Sequence, residues 1–215
     1  MKAKLPSQIF ITGIGTGVGK TIASAVLCEA MQADYWKPVQ CGNLEDSDTQ
    51  LVESLVSNAV SKFHKEAYRL KTPSSPHYAA QIENAKFDIE NCQLPNTDQR
   101  LIIEGAGGIM VPLNDELVMF DLIQYFKLPA IVVARNYLGS INHTLLTCQF
   151  LEEQGVEVLG LIFSGDNFND NEEIIQHFTQ LPIIGRIDET KIIDKNFIST
   201  QAEKMKLSLS LNFQL

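Results

Sequence analysis

Nowhere in these 215 residues do apolar side chains run for the ~18 positions that a membrane-crossing helix needs, which excludes an integral helical membrane protein. Cysteine is sparse and scattered. Cys28, Cys41, Cys92 and Cys148 form no CxxC pair, and His64, His77, His143 and His177 show neither HxxxH nor HxH spacing. A zinc site or a disulfide framework therefore has no basis in the sequence, and reduced thiols are expected. Basic residues are outnumbered, 17 against 26 acidic, and the formal net charge of −9 repels nucleic acid and anionic lipid. Repeats, low-complexity tracts and long linkers are also missing. The apolar stretch near the N-terminus is too short for a secretory signal, so the expected location is cytoplasmic.

What is present is 45% apolar and 20% charged, enough for one large core and a single domain over residues 1–215. Residues 8–12 (QIFIT), 100–104 (RLIIE), 130–134 (AIVVA), 156–163 (VEVLGLIF) and 182–187 (PIIGRI) read as strands. DYWKPV at 34–39 is a further strand, broken by Pro38. Spacing predicts helices over 20–33, 48–60, 140–154 and 171–179, and a short one after Ser75 with Pro76 in its first turn. The segment 191–215, with its alternating LSLSLNF, reads as an edge strand or packing arm. Strands that alternate with helices and read as continuous apolar runs indicate an α/β fold, a mostly parallel sheet flanked by helices on both faces. Ligands of such sheets sit beyond the carboxyl ends of the strands.

The residues there are chemically pointed. GIGTGVGKT at 13–21 follows a strand and opens a helix, the context of a phosphate-binding P-loop. Glycines let successive N–H groups curl into an anion nest, and the helix N-terminus adds its positive end. Lys20 can reach the β- and γ-phosphates, and the Thr21 hydroxyl can ligate Mg²⁺. The strict spacing would need glycine where Ile14 stands, so the loop is a variant. Lys37, at the end of the second strand, is either an ordinary surface charge or, between Trp36 and Pro38 in a strand with little other polarity, an amine that steadies an anionic substrate and a phosphoryl group in transfer. Cys41 is either a small buried thiol or part of a substrate wall. Asp48 is either a helix-start carboxylate or a Mg²⁺ contact. Glu104 closes a strand and runs into Gly105, Gly107 and Gly108, which suits the acidic metal partner of a P-loop enzyme. Ser140 and Asn142 either cap a helix or mark N–H groups that hold a small-molecule carboxylate.

Together, TG-x-x-TGVGKT at 12–21, KPVQCG at 37–42, SD at 47–48, SPH at 75–77, EGAGG at 104–108 and LG-x-INH at 138–143 resemble the dethiobiotin synthetases. Order and spacing match from the first strand to Phe163, about three-quarters of the chain. The resemblance implies an ATP-dependent cyclo-ligase acting on 7,8-diaminononanoate, CO₂ and ATP. A carbamate forms on one amine, ATP phosphorylates it, and the second amine closes a cyclic urea. It implies Lys37 as catalytic residue and Thr21, Asp48 and Glu104 around Mg²⁺. ATP would be held by Gly17, Val18, Gly19, Lys20, Thr21, Ile22, Asp48 and Glu104, Gly105, Ala106, Gly107. Thr16, Lys37 and Cys41 would line the diamine. A homodimer is implied, in which Gly139, Ser140, Ile141 and Asn142 of one subunit receive the carboxylate of substrate bound to the other.

Three positions depart from the family pattern. Gly15 stands where Asp is frequent, and Cys41 where a hydroxyl residue is usual. SGDN at 164–167 offers no clear match to the asparagine that reads adenine, so base selectivity is left open. The alternative reading is a dimeric switch ATPase of the partitioning or metal-chaperone type. Such proteins usually carry a lysine where this loop has Gly15, which weakens that reading.

Overall fold

The computed structural model of the chain describes residues 2–166 and 169–214. Its strands are β1 (Ala3–Lys4), β2 (Gln8–Gly13), β3 (Asp34–Trp36), β4 (Val39–Cys41), β5 (Phe63–His64), β6 (Tyr68–Leu70), β7 (Leu101–Gly108), β8 (Ala130–Arg135), β9 (Val158–Ser164), β10 (Ile183–Ile187) and β11 (Phe213–Gln214). Its α-helices are α1 (Lys20–Met31), α2 (Asp48–Leu55), α3 (Pro76–Ile82), α4 (Met119–Phe126), α5 (Ser140–Glu153), α6 (Asn169–Thr179) and α7 (Lys195–Asn212). Seven strands form one parallel sheet in the order β10-β9-β8-β2-β7-β3-β5. Two small parallel pairs, β4–β6 and β1–β11, lie outside it.

The apolar runs of the central strands serve both faces of this sheet. Ile9, Ile11, Ile102, Ile131, Val133 and Ile162 pack with α1, α2 and α7 on one side. Phe10, Leu101, Ile103, Val132, Leu161 and Phe163 pack with α4, α5 and α6 on the other. A fully buried side chain of this size contributes about 1.5–3 kcal/mol relative to exposure, so the double-sided burial dominates what holds the sheet. Among the described residues no helix is long and apolar enough to cross a membrane.

Several local expectations need correction. DYWKPV does not make one strand: β3 ends at Trp36 and β4 begins at Val39. Pro38 has no N–H to give a central ladder, and here the chain leaves the main sheet, turning Lys37 toward the strand ends. The helix predicted over 48–60 stops at Leu55, because the Ser57 and Asn58 N–H groups bond the Glu29 carboxylate instead of continuing the helix. The segment 191–215 is mostly the helix α7, not an edge strand. Ile198, Ala202, Met205 and Leu209 supply its 3.6-residue period and pack against α1 and β10, so the packing role stands. Helix α4 was not anticipated; it fills the stretch between the glycines of β7 and the start of β8.

The topology sets the site. From β2 at the centre the chain first goes to β3 on one side, and later fills β8, β9 and β10 on the other. The crevice at this reversal opens beyond the end of β2, where the glycine loop lies.

Candidate active site

The loop after β2 is shaped by its glycines. Gly17 and Gly19 have φ of +74° and +93°, left-handed conformations that favour glycine and aim N–H groups into the turn. A Cβ on Gly13 would lie 2.7 Å from Val18 Cγ2, so the loop closes tightly over the end of its own strand. The Ser164 hydroxyl, at the end of β9, donates to the Val18 carbonyl at 2.6 Å and ties the loop to a strand two places away. Lys20 opens α1 and donates to the Gly15 carbonyl at 2.8 Å.

Opposite the loop, three side chains converge on Glu104, a carboxylate 1% exposed on β7. Thr21 Oγ1 donates to its Oε1 at 2.9 Å, and Tyr35 donates its phenol proton to Oε2 at 2.9 Å. Lys37 Nζ lies 3.3 Å from Oε1 and pairs at the same time with Asp48. Asp48 is held at the first turn of α2 by a capping box between Ser47 and Gln50, and its N–H bonds the Gln40 side chain at 3.4 Å. Lys37 thus sits between two carboxylates brought from β7 and α2.

The two lysines are tuned in opposite directions. Burial works against the Lys37 ammonium, but Glu104 and Asp48 outweigh it and hold its pKa above the ordinary lysine value. Lys20, bonded to a carbonyl instead of a carboxylate, is pushed down to about 8 by burial; Glu104 opposes this and Lys37 adds to it. Burial likewise pushes the Cys41 thiol up to about 11 against the pull of Lys37, which keeps it protonated near neutrality.

These groups wall a cleft of about 700 Å³. Of the predicted residues, Thr16, Gly17, Gly19, Lys20, Thr21, Ile22, Lys37, Cys41, Asp48, Glu104, Ala106 and Gly107 line it. They are joined by Gln40, Leu51, Val111 and the turn at 73–76. Val18 and Gly105 lie behind the wall. Val18 is buried under the loop, and a Cβ on Gly105 would come within 2.8 Å of the Phe10 ring. Gly139, Ser140, Ile141 and Asn142 do not line the cleft; they open α5, with Gly139 at φ +103° as its N-cap. Ser140 Oγ is buried there without a partner among the described residues. Asn167, the last residue of SGDN, lies outside the described residues. Sequence reasoning missed Tyr35, Gln40 and Ser164. Only strand register reveals Tyr35: it faces Ile102, two residues before Glu104 on the same face of β7.

Known proteins share both the sequence and the scaffold. A family described as an AAA domain matches residues 7–196. The ATP-dependent dethiobiotin synthetase BioD of Christiangramia forsetii is 49% identical over 205 residues, spanning 95% of this chain and 99% of that protein. The corresponding synthetase of Cytophaga hutchinsonii is 45% identical over 199 residues, 92% of this chain and 96% of its own length. Among solved structures, the septum site-determining protein MinD of Pyrococcus horikoshii, complexed with Mg-ADP, superposes with a TM-score of 0.56 at 15% identity, covering 95% of each chain. A ParA family ATPase from Chlorobium tepidum gives a TM-score of 0.53 at 11% identity, over 96% of this chain and 93% of that one. At that identity the structures establish the fold alone. The near full-length relatives settle the family, and this chain belongs to the ATP-dependent dethiobiotin synthetases.

Proposed function

We propose that residues 1–215 act as one ligase domain that converts 7,8-diaminononanoate, CO₂ and ATP to dethiobiotin, ADP and phosphate. The observation that carries this reading is the convergence of Lys20, Lys37, Asp48 and Glu104 on one cleft in a chain of this family. One amine adds to CO₂ and loses a proton, giving a carbamate. A carbamate oxygen attacks the γ-phosphorus as the bond to ADP breaks. The second amine then attacks the carbonyl carbon, and phosphate leaves as the ring closes. Alignment and charge neutralisation are the protein's share of such chemistry.

In this reading the N–H groups of the 13–21 loop and Lys20 hold the phosphates, releasing the Lys20 contact to Gly15. Lys37 is the catalytic residue. Its ammonium turns from Asp48 and Glu104 toward the carbamate and γ-phosphate, whose charge develops as the phosphoryl group moves. Cys41 and Thr16 line the diamine. The start of α5 at Gly139–Asn142, outside this cleft, takes the substrate carboxylate of a second subunit in a homodimer. The setting is cytoplasmic.

The residues also fit a magnesium ion brought with ATP. Thr21, Asp48 and Glu104 offer hard oxygen donors around a point where a cation, the Lys37 ammonium, already sits between the two carboxylates. No cluster of three or more His, Cys, Asp or Glu exists among the described residues, so phosphate oxygens and water would complete the shell. When bound, the ion would screen phosphate charge and bridge the nucleotide to these side chains.

Incubation with ¹³C-bicarbonate, MgATP and diaminononanoate tests the reaction directly. Label in the ureido carbon of dethiobiotin is expected. ATP consumption with the label left in bicarbonate overturns the ligase reading. The likeness to MinD and ParA proteins is one of fold, and no feature of the cleft favours a partner-switching ATPase over the ligase.

A further inference from the structure

Glu104 is a buried carboxylate whose two oxygens are used differently. Oε1 faces the cleft side, where Thr21 and Lys37 reach it from the glycine loop and the β3–β4 break. Oε2 is taken by a single phenol, Tyr35, at 2.9 Å. Both residues of that pair are sealed from solvent, Tyr35 at 0% and Glu104 at 1% exposure.

The contact follows from strand register. Tyr35 stands opposite Ile102 on the neighbouring parallel strand, and Glu104 is two positions further along the same face. The phenol therefore leans along the strand direction onto the carboxylate diagonally ahead of it. Its ring is packed in the core with side chains of α1 and α2, and this leaves the hydroxyl little freedom to point elsewhere. A tyrosine phenol carries its proton near neutrality, so it meets the carboxylate as a donor.

We propose that Tyr35 is a positioning residue for the ligase reaction: by holding Oε2 with a neutral donor, it fixes the Glu104 carboxylate so that Oε1 is presented to Thr21, Lys37 and the magnesium ion of bound ATP. A lysine on Oε2 would compete with that cation; a phenol orients the carboxylate without adding charge. Outer partners that orient a metal-ligating carboxylate commonly govern affinity as much as the ligand itself. This inference rests on the proposed role of Glu104 at the metal.

The test is a set of three variants, Tyr35→Phe, Glu104→Gln and the double variant, read by two methods. The sole tryptophan, Trp36, lies between Tyr35 and Lys37, so its fluorescence can report nucleotide binding without turnover. ATP is titrated in EDTA and at a series of Mg²⁺ concentrations, with melting curves alongside. Tyr35→Phe should leave metal-free ATP binding within about twofold of the parent and raise the Mg²⁺ half-point about tenfold. In steady-state assays kcat at fixed subsaturating Mg²⁺ should fall while the KM for diaminononanoate stays the same. The double variant should show no further shift beyond Glu104→Gln, because the phenol acts through that carboxylate.

A melting point lowered in Tyr35→Phe with an unmoved Mg²⁺ half-point overturns the inference and leaves Tyr35 a core residue, as does a Tyr35→Phe chain that fails to fold. Additive shifts in the double variant overturn it too. If Glu104→Gln itself leaves the Mg²⁺ half-point unmoved, the underlying reading of Glu104 fails, and the inference fails with it for that separate reason.

Discussion

Around Lys37 the charges answer one another within this chain, with buried Glu104 and half-buried Asp48 on either side of the ammonium. At residues 136–143 the arrangement is the reverse. Leu138 is fully exposed at the tip of the loop before α5, Ser140 Oγ is buried without a partner among the described residues, and Gly139 carries the helix start in a left-handed turn. The first region is a polar network of contacts made within the chain, which the proposed phosphates would enter by exchange. The second is a helix N-terminus with open donors and an exposed apolar neighbour. In the proposed dimer it is completed by substrate held on the other subunit. In the proposed reaction, phosphate chemistry is thus built into one chain and substrate-carboxylate capture is displayed outward.

Perturbing the closed region should cost most. Lys37→Ala removes the charge proposed to meet the moving phosphoryl group, and kcat should fall about 10²–10³-fold while ATP affinity stays within a few fold. Single-turnover kinetics beside equilibrium ATP binding separate the two. Near-parental turnover would remove Lys37 from catalysis and dissolve the distinction between the regions. Asp48→Asn should raise the magnesium requirement about tenfold with little change at saturating metal, measured by activity across a Mg²⁺ series.

The outward region should respond in a different parameter. Gly139→Ala strains a φ of +103° and distorts the first N–H groups of α5, so the KM for diaminononanoate should rise about fivefold with the KM for ATP unchanged. A change in the ATP constant instead would mean that this turn belongs with the phosphate site. Cys41→Ser should be nearly silent, within about twofold in kcat/KM, because the thiol lines the cleft as a small neutral group. Its pKa of about 11, two units above the ordinary 9, leaves the reactive thiolate about a hundredfold rarer below pH 9. Iodoacetamide at pH 7.5 should therefore label Cys41 slowly, with a rate that climbs tenfold per pH unit toward pH 10. Rapid labelling at neutrality would show a thiol activated by Lys37.

The legibility of the molecule divides along similar lines. The loop at 13–21, Lys37 and Glu104 were readable because phosphate binding demands particular residue types at short spacings, and the central strands because burial on both faces leaves continuous apolar runs. Helix α7 was misread since LSLSLNF alternates locally, while the residues that bury it, from Ile198 to Leu209, show their period only over three turns. The break between β3 and β4 was half visible in Pro38, but that it turns Lys37 onto two carboxylates depends on where α2 and β7 lie. Tyr35 was invisible as a site residue. Its partner is 69 positions away, and only the pairing of β3 with β7 brings the phenol to Glu104.

The most direct measurement is phosphate release from the purified chain with MgATP, with and without diaminononanoate plus bicarbonate. The account predicts release that requires both additions, with one dethiobiotin formed per phosphate. Release that proceeds equally without them would contradict it and leave a P-loop ATPase in place of a ligase.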